Sequence, residues 1–390
     1  MRVEHGDGVG LLRELVRIDS RNPSLVANAP GEGEVARALR DVLASWGFDV
    51  ELRDAAAGRP NVIARMGKAG GRSLMFNGHI DVVGVEGMTH APWAAEERDG
   101  RIFGRGASDM KGGVAAMCAA AARAAKDIAD GELIVTAVVD EEYESAGTRA
   151  LVAAGVRADA AIVTEPTGLS IMPAHKGFVW ATVTTHGRAA HGSRWDIGVD
   201  AIRHAGHVLA ELDRLDTEIL PRRSHALLGR PSVHASLIEG GTGMSTYPDR
   251  CTVRIERRTI PGETVEDVRA EIDEGMASLR ERVPDFRAEV AIDLAQQPSD
   301  VATDAPIVLA LSDALRAESL SVRVEGMSAW TDAALLNAAG IPAICFGPGD
   351  MSLAHAPEEF ISASDIERAT QVLTRLATQW CAGNGDAWRS

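Results

Sequence analysis

The feature that most constrains this chain is one break in an otherwise regular rhythm of strands and helices. Before residue 176 short apolar runs alternate with helical patterns. The strand-like segments are FDVELRD, NVIARM, SLMFNGHI, ELIVTAVV and AAIVTE; GLLRELVRID, EGEVARALRDVLASWG, the Ala-rich MKGGVAAMCAAAARAAK and TRALVAAG read as helices. Strands that alternate with helices in this way build a largely parallel sheet with helices on its faces. After Lys176 the style changes. FVWATVTTHG alternates polar and apolar residues, VDAIRHAGHVLAELDRL is helical, PSVHASLIEGG and CTVRIERRTI are strands, and TVEDVRAEIDEGMASLRERV and RAEVAIDLAQ add a helix and a strand. That order, β-α-β-β-α-β, is a ferredoxin-like unit. The first style then resumes through IVLALSDALRAE, PAICFG and DIERATQVLTRLATQW. A chain of 390 residues exceeds what one ordinary core fills. The expected fold is α/β, with a mixed, largely parallel sheet and flanking helices over residues 1–177 and 297–390, and an inserted α+β ferredoxin-like domain over 178–296.

Charge narrows the function. The formal net charge is -16 with no basic cluster, which argues against a nucleic-acid partner and against an anionic membrane surface. No apolar run is long enough to span a bilayer. The N-terminal MRVEHGDGVG lacks an apolar core, so no secretory signal is expected. Cys118, Cys251, Cys345 and Cys381 are widely spaced and form no CxxC pair. Reduced, buried thiols in a cytoplasmic protein are the simplest expectation.

The residues that could carry chemistry gather at predicted strand ends. His79 and Asp81, in FNGHIDVV, are two apart on a strand and share a face. A ligating histidine commonly donates its second ring N–H to a carboxylate, and this spacing permits that. Asp109 lies in GRGASDMKGG, which lacks the phosphate-loop spacing and suits either a helix N-cap or a metal ligand. VVDEEYESAG sets Asp140, Glu141 and Glu142 in a row after a buried strand. Glu165 ends AAIVTE, and His355 follows the glycine-rich FGPGD in LAHAPEEF. In open parallel sheets sites assemble at the carboxyl ends of strands. Together, His79, Asp109, Glu142, Glu165 and His355 make a mixed nitrogen and oxygen donor set suited to zinc, cobalt or manganese. Five donors serve two metals only if a carboxylate bridges. A solvated turn is the alternative for each residue taken alone.

GHIDVV, GRGASDMKGG, DEEYESAGT, TEPTG, HKG, AAHGS, RTIPGE, TDAALLNAAGIPAICFGPG and LAHAPEEF occur in one order along nearly the whole chain. With these segments the sequence resembles the zinc-dependent M20-type amidohydrolases and exopeptidases. That family includes acetylornithine deacetylase, succinyl-diaminopimelate desuccinylase, aminoacylase and carboxypeptidase G, and the chain is most similar to acetylornithine deacetylase-like members. The resemblance implies a zinc-exopeptidase-like fold and two divalent metal ions, with zinc expected and cobalt or manganese possible. It implies His79 and Glu165 on one metal, Glu142 and His355 on the other, Asp109 bridging, and a cis peptide from Asp109 to Met110. It further implies that Asp81 orients His79 and that Glu141 is the general base. His191, in AAHGS, would reach the reacting carbonyl of a partner subunit or across a closing cleft. Arg258, in RTIPGE, would bind a substrate carboxylate. A homodimer, with the inserted domain as lid and dimerisation element, is implied as well.

Two positions depart from the family pattern. Ser245, in GGTGMSTYPD, stands where many relatives have an asparagine that helps bind substrate, and Trp330, in SAWTDAALL, is bulky for its place. Both bear on substrate class and neither touches the implied ligands. His175, His186, His204, His207, His225 and His234 match no ligand pattern and are expected to be structural or surface residues. The expected activity is hydrolysis of a small N-acyl amino acid, an N-acetyl derivative first. Desuccinylation, deformylation and dipeptide or carboxypeptidase cleavage are the alternatives within the same chemistry. A non-catalytic binding protein on this fold is disfavoured by the intact Glu141 and ligand set. A serine hydrolase is disfavoured by the absence of GxSxG.

Overall fold

The computed structural model describes residues 3–68, 70–128 and 130–381. The chain divides into two compact units: residues 1–173, 301–325 and 331–390 form one, and residues 174–300 with 326–330 the other. The longer strands, in chain order, are β1 (Asp49–Ala56), β2 (Arg59–Gly67), β3 (Ser73–His79), β4 (Glu132–Val138), β5 (Ala160–Val163), β6 (Ile171–His175), β7 (Gly177–His186), β8 (Ser232–Gly240), β9 (Arg250–Thr259), β10 (Arg287–Gln296) and β11 (Ala343–Cys345).

In the first unit the strands follow the order β1-β2-β4-β3-β5-β11-β6. The middle four, β4, β3, β5 and β11, are parallel, and the flanking pairings are antiparallel. The sheet is therefore mixed with a parallel centre, the class the strand and helix alternation predicts. Apart from the first residues of β3 and β4, the parallel strands are buried on both faces, which explains their unbroken apolar runs; β1, at the edge, alternates toward solvent. From β3 the chain moves out to β4 and then returns to β5 on the other side of β3. This reversal of strand order opens a crevice at the carboxyl ends.

Helices α1 (Gly8–Val16), α2 (Gly33–Ser45), α3 (Gly112–Ala124) and α4 (Ala146–Ala153) precede the second unit, which supplies α5 (Ala201–Arg214) and α6 (Val265–Arg282). After it come α7 (Pro306–Ala317), α8 (Ala333–Ala338) and α9 (Ala363–Cys381). The Ala-rich α3 is buried almost throughout. Its small side chains let it lie close to its neighbours, and a Cβ on Gly113 would sit 1.8 Å from the Thr164 carbonyl oxygen. That approach draws the loop ahead of α3 toward the end of β5. Among the described residues no helix is long and apolar enough to cross a membrane. All four cysteines are buried and unpaired.

The second unit is an antiparallel sheet in the order β8-β9-β7-β10 whose apolar core takes in residues of α5 and α6. Asp200 caps α5, and a Thr264–Asp267 capping box opens α6. Residues 326–330, which the strand and helix pattern assigns to the first region, join this unit for a hydrogen-bonding reason. The Lys176 N–H donates to the Met327 carbonyl at 3.1 Å. The Trp330 indole donates to Gln297 at 2.9 Å, and Arg258 donates to the Ser328 carbonyl at 2.5 Å. Trp330 also stands edge-on to His175 and Phe178.

The most deeply buried arginine among the described residues of this unit is Arg257, which pairs with Glu263 at 2.7 Å and Glu271 at 3.2 Å, while Arg223 reaches both acids. Burial pushes the Glu263 carboxyl up, but hydrogen bonds from Arg257 and Arg223 more than reverse this and leave it below its ordinary 4.5. A lowered carboxyl contributes stability that is complete above its unfolded value and is lost as pH falls through the folded one. Glu263→Gln should therefore destabilise the protein at pH 7 by about 2 kcal/mol, less than the usual cost of breaking a buried pair because Glu271 still faces Arg257. The difference from native should shrink below pH 4.5. Urea unfolding at neutral and acid pH measures both, and an equal difference at the two pH values would refute the assignment.

Candidate metal centre

The parallel strands deliver their chemistry to one edge. β3 ends at His79, β4 runs into Asp140, Glu141 and Glu142, and β5 leads to Glu165. The His79 ring is buried between two partners. Its Nδ1 lies 3.0 Å from the Asp81 backbone carbonyl, and its Nε2 lies 3.1 Å from Asp109 Oδ1. An Nδ1–H donated to that carbonyl leaves the Nε2 lone pair facing Asp109. On the other side of Asp109, its Oδ2 is 3.5 Å from His355 Nε2, which is 2.9 Å from Glu142 Oε2. The donor atoms of His79, Asp109 and Glu165 all lie within 4.8 Å of one another, and so do those of Asp109, Glu142 and His355. Asp109 belongs to both groups. The side chain of Glu141 comes to 3.9 Å from His79 Nε2.

Asp140 and Asp81 hold the loop after β4. Asp140 has φ +68 and Ser145 φ +59, a left-handed region that L side chains adopt rarely. The Asp140 carbonyl accepts from the N–H groups of Tyr143 and Ser145 and closes a tight turn. The two oxygens of Asp81 accept the N–H of Glu141 at 3.1 Å and of Glu142 at 3.2 Å. Asp81 thus aims His79 chiefly through its backbone carbonyl, while its side-chain oxygen stands farther off at 3.5 Å. Its carboxylate fixes the adjacent glutamates instead.

Asp109 is placed by Glu359, which lies in the LAHAPEEF segment and to which the sequence assigned no role. Residues 107–111 form a wide turn before α3, and the Asp109–Met110 peptide is cis. The fully buried Glu359 accepts from the N–H groups of Gly106, Ser108 and Asp109 at 3.0–3.1 Å and pairs with Arg105 at 2.7 Å. Antiparallel pairing of Phe360–Ser362 with Arg101–Phe103 brings it there from across the chain. Its place in that motif, four residues after His355, was the clue.

Charge decides what this arrangement can hold. Burial pushes the carboxyls of Glu141 and Glu165 well above their ordinary range, and the neighbouring acids push them further. Glu142 is raised for the same two reasons. Burial works against Asp109 too, but hydrogen bonds to His355 and His79 hold it below the ordinary range. His355 is raised to about 10 by Asp109 and Glu142. Without a cation, protons must neutralise this crowd of acids. A divalent ion does so more effectively, and the donors, three carboxylates and two imidazoles with one carboxylate common to both groups, fit a pair of such ions.

Residues 75–379 match the family model for peptidase family M20/M25/M40. The chain belongs to that family. With it comes the family's reaction type, metal-dependent hydrolysis of amide bonds. Acetylornithine deacetylase of Myxococcus xanthus is 32% identical over 350 residues, covering 87% of this chain and 90% of that protein. N-formyl-4-amino-5-aminomethyl-2-methylpyrimidine deformylase of Bacillus subtilis is 29% identical over 374 residues, covering 86% of each. A solved Bacillus subtilis structure described as a dinuclear metal binding peptidase of the M20 family superposes with a TM-score of 0.71 at 18% identity, covering 96% of this chain and 98% of the other.

The remaining two predicted site residues lie in the second unit of this M20 chain. His191 is exposed on a short strand paired with Thr246–Tyr247. Its Nδ1 accepts from the Ser193 N–H at 3.2 Å. Arg258, on β9, donates to Glu256 and to the Ser328 carbonyl, and lies 5.5 Å from the Phe178 ring centre. Ser245 is exposed, and its carbonyl accepts from the Gly192 N–H at 2.7 Å.

Glu359→Leu should cost about 3 kcal/mol, because it leaves Arg105 buried without its partner and three N–H groups unmet. Denaturant unfolding measures the loss. Calorimetric metal titration of the same variant should show weakened binding, because Asp109 loses its support.

Proposed function

We propose that the protein hydrolyses the amide bond of a small N-acyl amino acid, an N-acetyl derivative before others, with Glu141 as general base. The observation that carries this reading is a buried Glu141 beside two donor groups that share Asp109. In this reading His79 and Glu165 would hold one divalent ion and Glu142 and His355 the other, with Asp109 serving both. Zinc suits this donor set, with cobalt or manganese as alternatives. The bound ions would supply Lewis acidity at the scissile carbonyl and acidify a water.

The protein's own groups do the rest. A Glu141 carboxylate oxygen takes the proton of the attacking water and gives it to the leaving nitrogen. Asp81 keeps Glu141 in place through its backbone N–H. His191 Nδ1 faces the Ser193 N–H at 3.2 Å and the Ser193 hydroxyl at 2.8 Å, and with the proton on Nε2 the ring is suited to donate to a carbonyl oxygen as charge develops there. Arg258 has five N–H groups and spends two within its unit, so its fork can still take a substrate carboxylate. The acetyl preference draws on the Myxococcus xanthus relative, and the Bacillus subtilis deformylase keeps a formyl substrate as the second reading.

A homodimer is part of the same proposal. The edge strand β8 exposes Leu237 and Ile238 at 61% and 54%, and an open apolar edge of this kind is normally covered. Cytoplasmic residence agrees with four unpaired thiols.

A panel of N-acetyl, N-succinyl and N-formyl amino acids with dipeptides, assayed with added zinc or cobalt, tests the substrate class. Turnover should be highest on an N-acetyl amino acid, should vanish on chelation and should return with metal. Glu141→Ala should lower kcat by about 100- to 10,000-fold while metal binding persists. Near-normal turnover in that variant would remove Glu141 from the role of base.

A further inference from the structure

The most connected cation near the centre is Arg59, at the start of β2, which no motif contains. Its guanidinium forms a fork with the fully buried Glu32, Nε to Oε2 at 2.8 Å and Nη2 to Oε1 at 2.5 Å. The same Nη2 donates to Asp140 Oδ1 at 2.9 Å and to Asn22 Oδ1 at 3.2 Å, and Nη1 donates to Ser24 Oγ at 3.2 Å. Asp140 Oδ1 also accepts from Asn22 Nδ2 at 3.1 Å and from Ser24 Oγ at 3.2 Å, while its Oδ2 accepts the Ala146 N–H at 3.3 Å. Asn22 Nδ2 further donates at 2.8 Å to Asp81 Oδ2, the oxygen that holds the Glu142 N–H.

This network ends on the backbone of residues 141, 142 and 146 and brackets the loop. Asp140 is 3% exposed, and its Oδ1 takes donors from Arg59, Asn22 and Ser24 together. Arginine is permanently charged, and its planar fork can grip Glu32 with one edge while still reaching Asp140. A lysine has three N–H donors but one nitrogen, so it cannot reproduce the two-nitrogen fork on Glu32 that fixes the orientation of the group reaching Asp140. Among the described residues the Glu141 side chain has the 3.9 Å approach to His79 and no hydrogen bond, so its placement depends on the backbone beneath it.

We infer that Arg59, oriented by Glu32, is a positioning residue. Acting through Asp140, and through Asn22 on Asp81, it sets the 140–146 backbone and thereby aims the Glu141 carboxylate. The inference rests on Glu141 as the base.

The test compares Arg59→Ala, Arg59→Lys and Asn22→Ala with Glu141→Ala in zinc-loaded enzyme, on the N-acetyl amino acid that the native protein hydrolyses fastest. Arg59→Ala should lower kcat by about tenfold or more with KM within about twofold of native. Guanidinium chloride should restore part of the loss and sodium chloride none. Arg59→Lys should recover less than guanidinium does. In the metal-free proteins, hydrogen exchange of the peptide spanning residues 139–146 should be faster in Arg59→Ala than in native protein, with the rest of the sheet unchanged. Native kcat or native exchange in Arg59→Ala overturns the inference. If that variant does not fold, the same two measurements on Asn22→Ala decide. If neither folds, exchange in the native metal-free protein decides, where free-loop rates at residues 141 and 142 would overturn it. Should Glu141→Ala retain turnover, the base assignment falls, and the exchange result still judges the positioning separately.

Discussion

The structure depends on how a set of acids is tolerated where an apolar parallel sheet ends. Asp81, Asp109, Asp140 and Glu165 are all buried, and Glu141 and Glu142 keep only a tenth or less of their side-chain surface. Taking a carboxylate out of water costs several kcal/mol unless a donor or cation replaces the lost hydration. The acids fall into two sets by how this is met. Asp81 and Asp140, like Glu359 in the neighbouring loop, accept backbone N–H groups and are tied to Asn22, Arg59 or Arg105. Among the described residues Glu141, Glu142 and Glu165 accept no backbone N–H; burial and neighbouring acids raise their carboxyls, with His355 standing 2.9 Å from Glu142. The set without backbone donors is the one that faces the candidate metal centre.

Each outer acid therefore has a mechanical task. Glu359 holds the turn with Asp109, Asp81 holds the N–H groups of the paired glutamates, and Asp140 closes the loop behind them. Carboxylates suit this work because each has two oxygens with several lone pairs and can grip consecutive N–H groups. Asp332 extends the pattern: burial raises its carboxyl to about 6 while Thr148, on α4, donates to it at 2.6 Å. α4 begins beside the loop after β4, so this bond anchors the loop's far end.

The second unit solves its own burial problem by the same physics. Arg257 is 1% exposed and would be untenable without Glu263 and Glu271. Adjacent arginines on β9 have different fates because alternate residues on a strand face opposite ways. Arg257 turns into the core and is structural. Arg258 remains partly accessible and keeps donors to spare.

Much of this was legible in the chain. The apolar runs and their spacing determined a parallel-centred sheet with an inserted α+β unit, because burial period and strand length are local properties. The order of the motifs likewise named the acids and histidines that the fold brings together. The partners of those acids were not legible. Asp140 had no evident task in VVDEEYESAG, because its partners Asn22, Ser24 and Arg59 are over 80 residues away in sequence. Glu359 lies about 250 residues from the turn it supports. Asp81 was expected to orient His79, and only the turn of the chain after the strand shows that its carboxylate also takes the N–H groups of Glu141 and Glu142. Sequence alone determined which residue types reach the strand ends. Tertiary structure decided which of them are neutralised by the protein and which remain for a cation, because that depends on donors brought together only when the chain has folded.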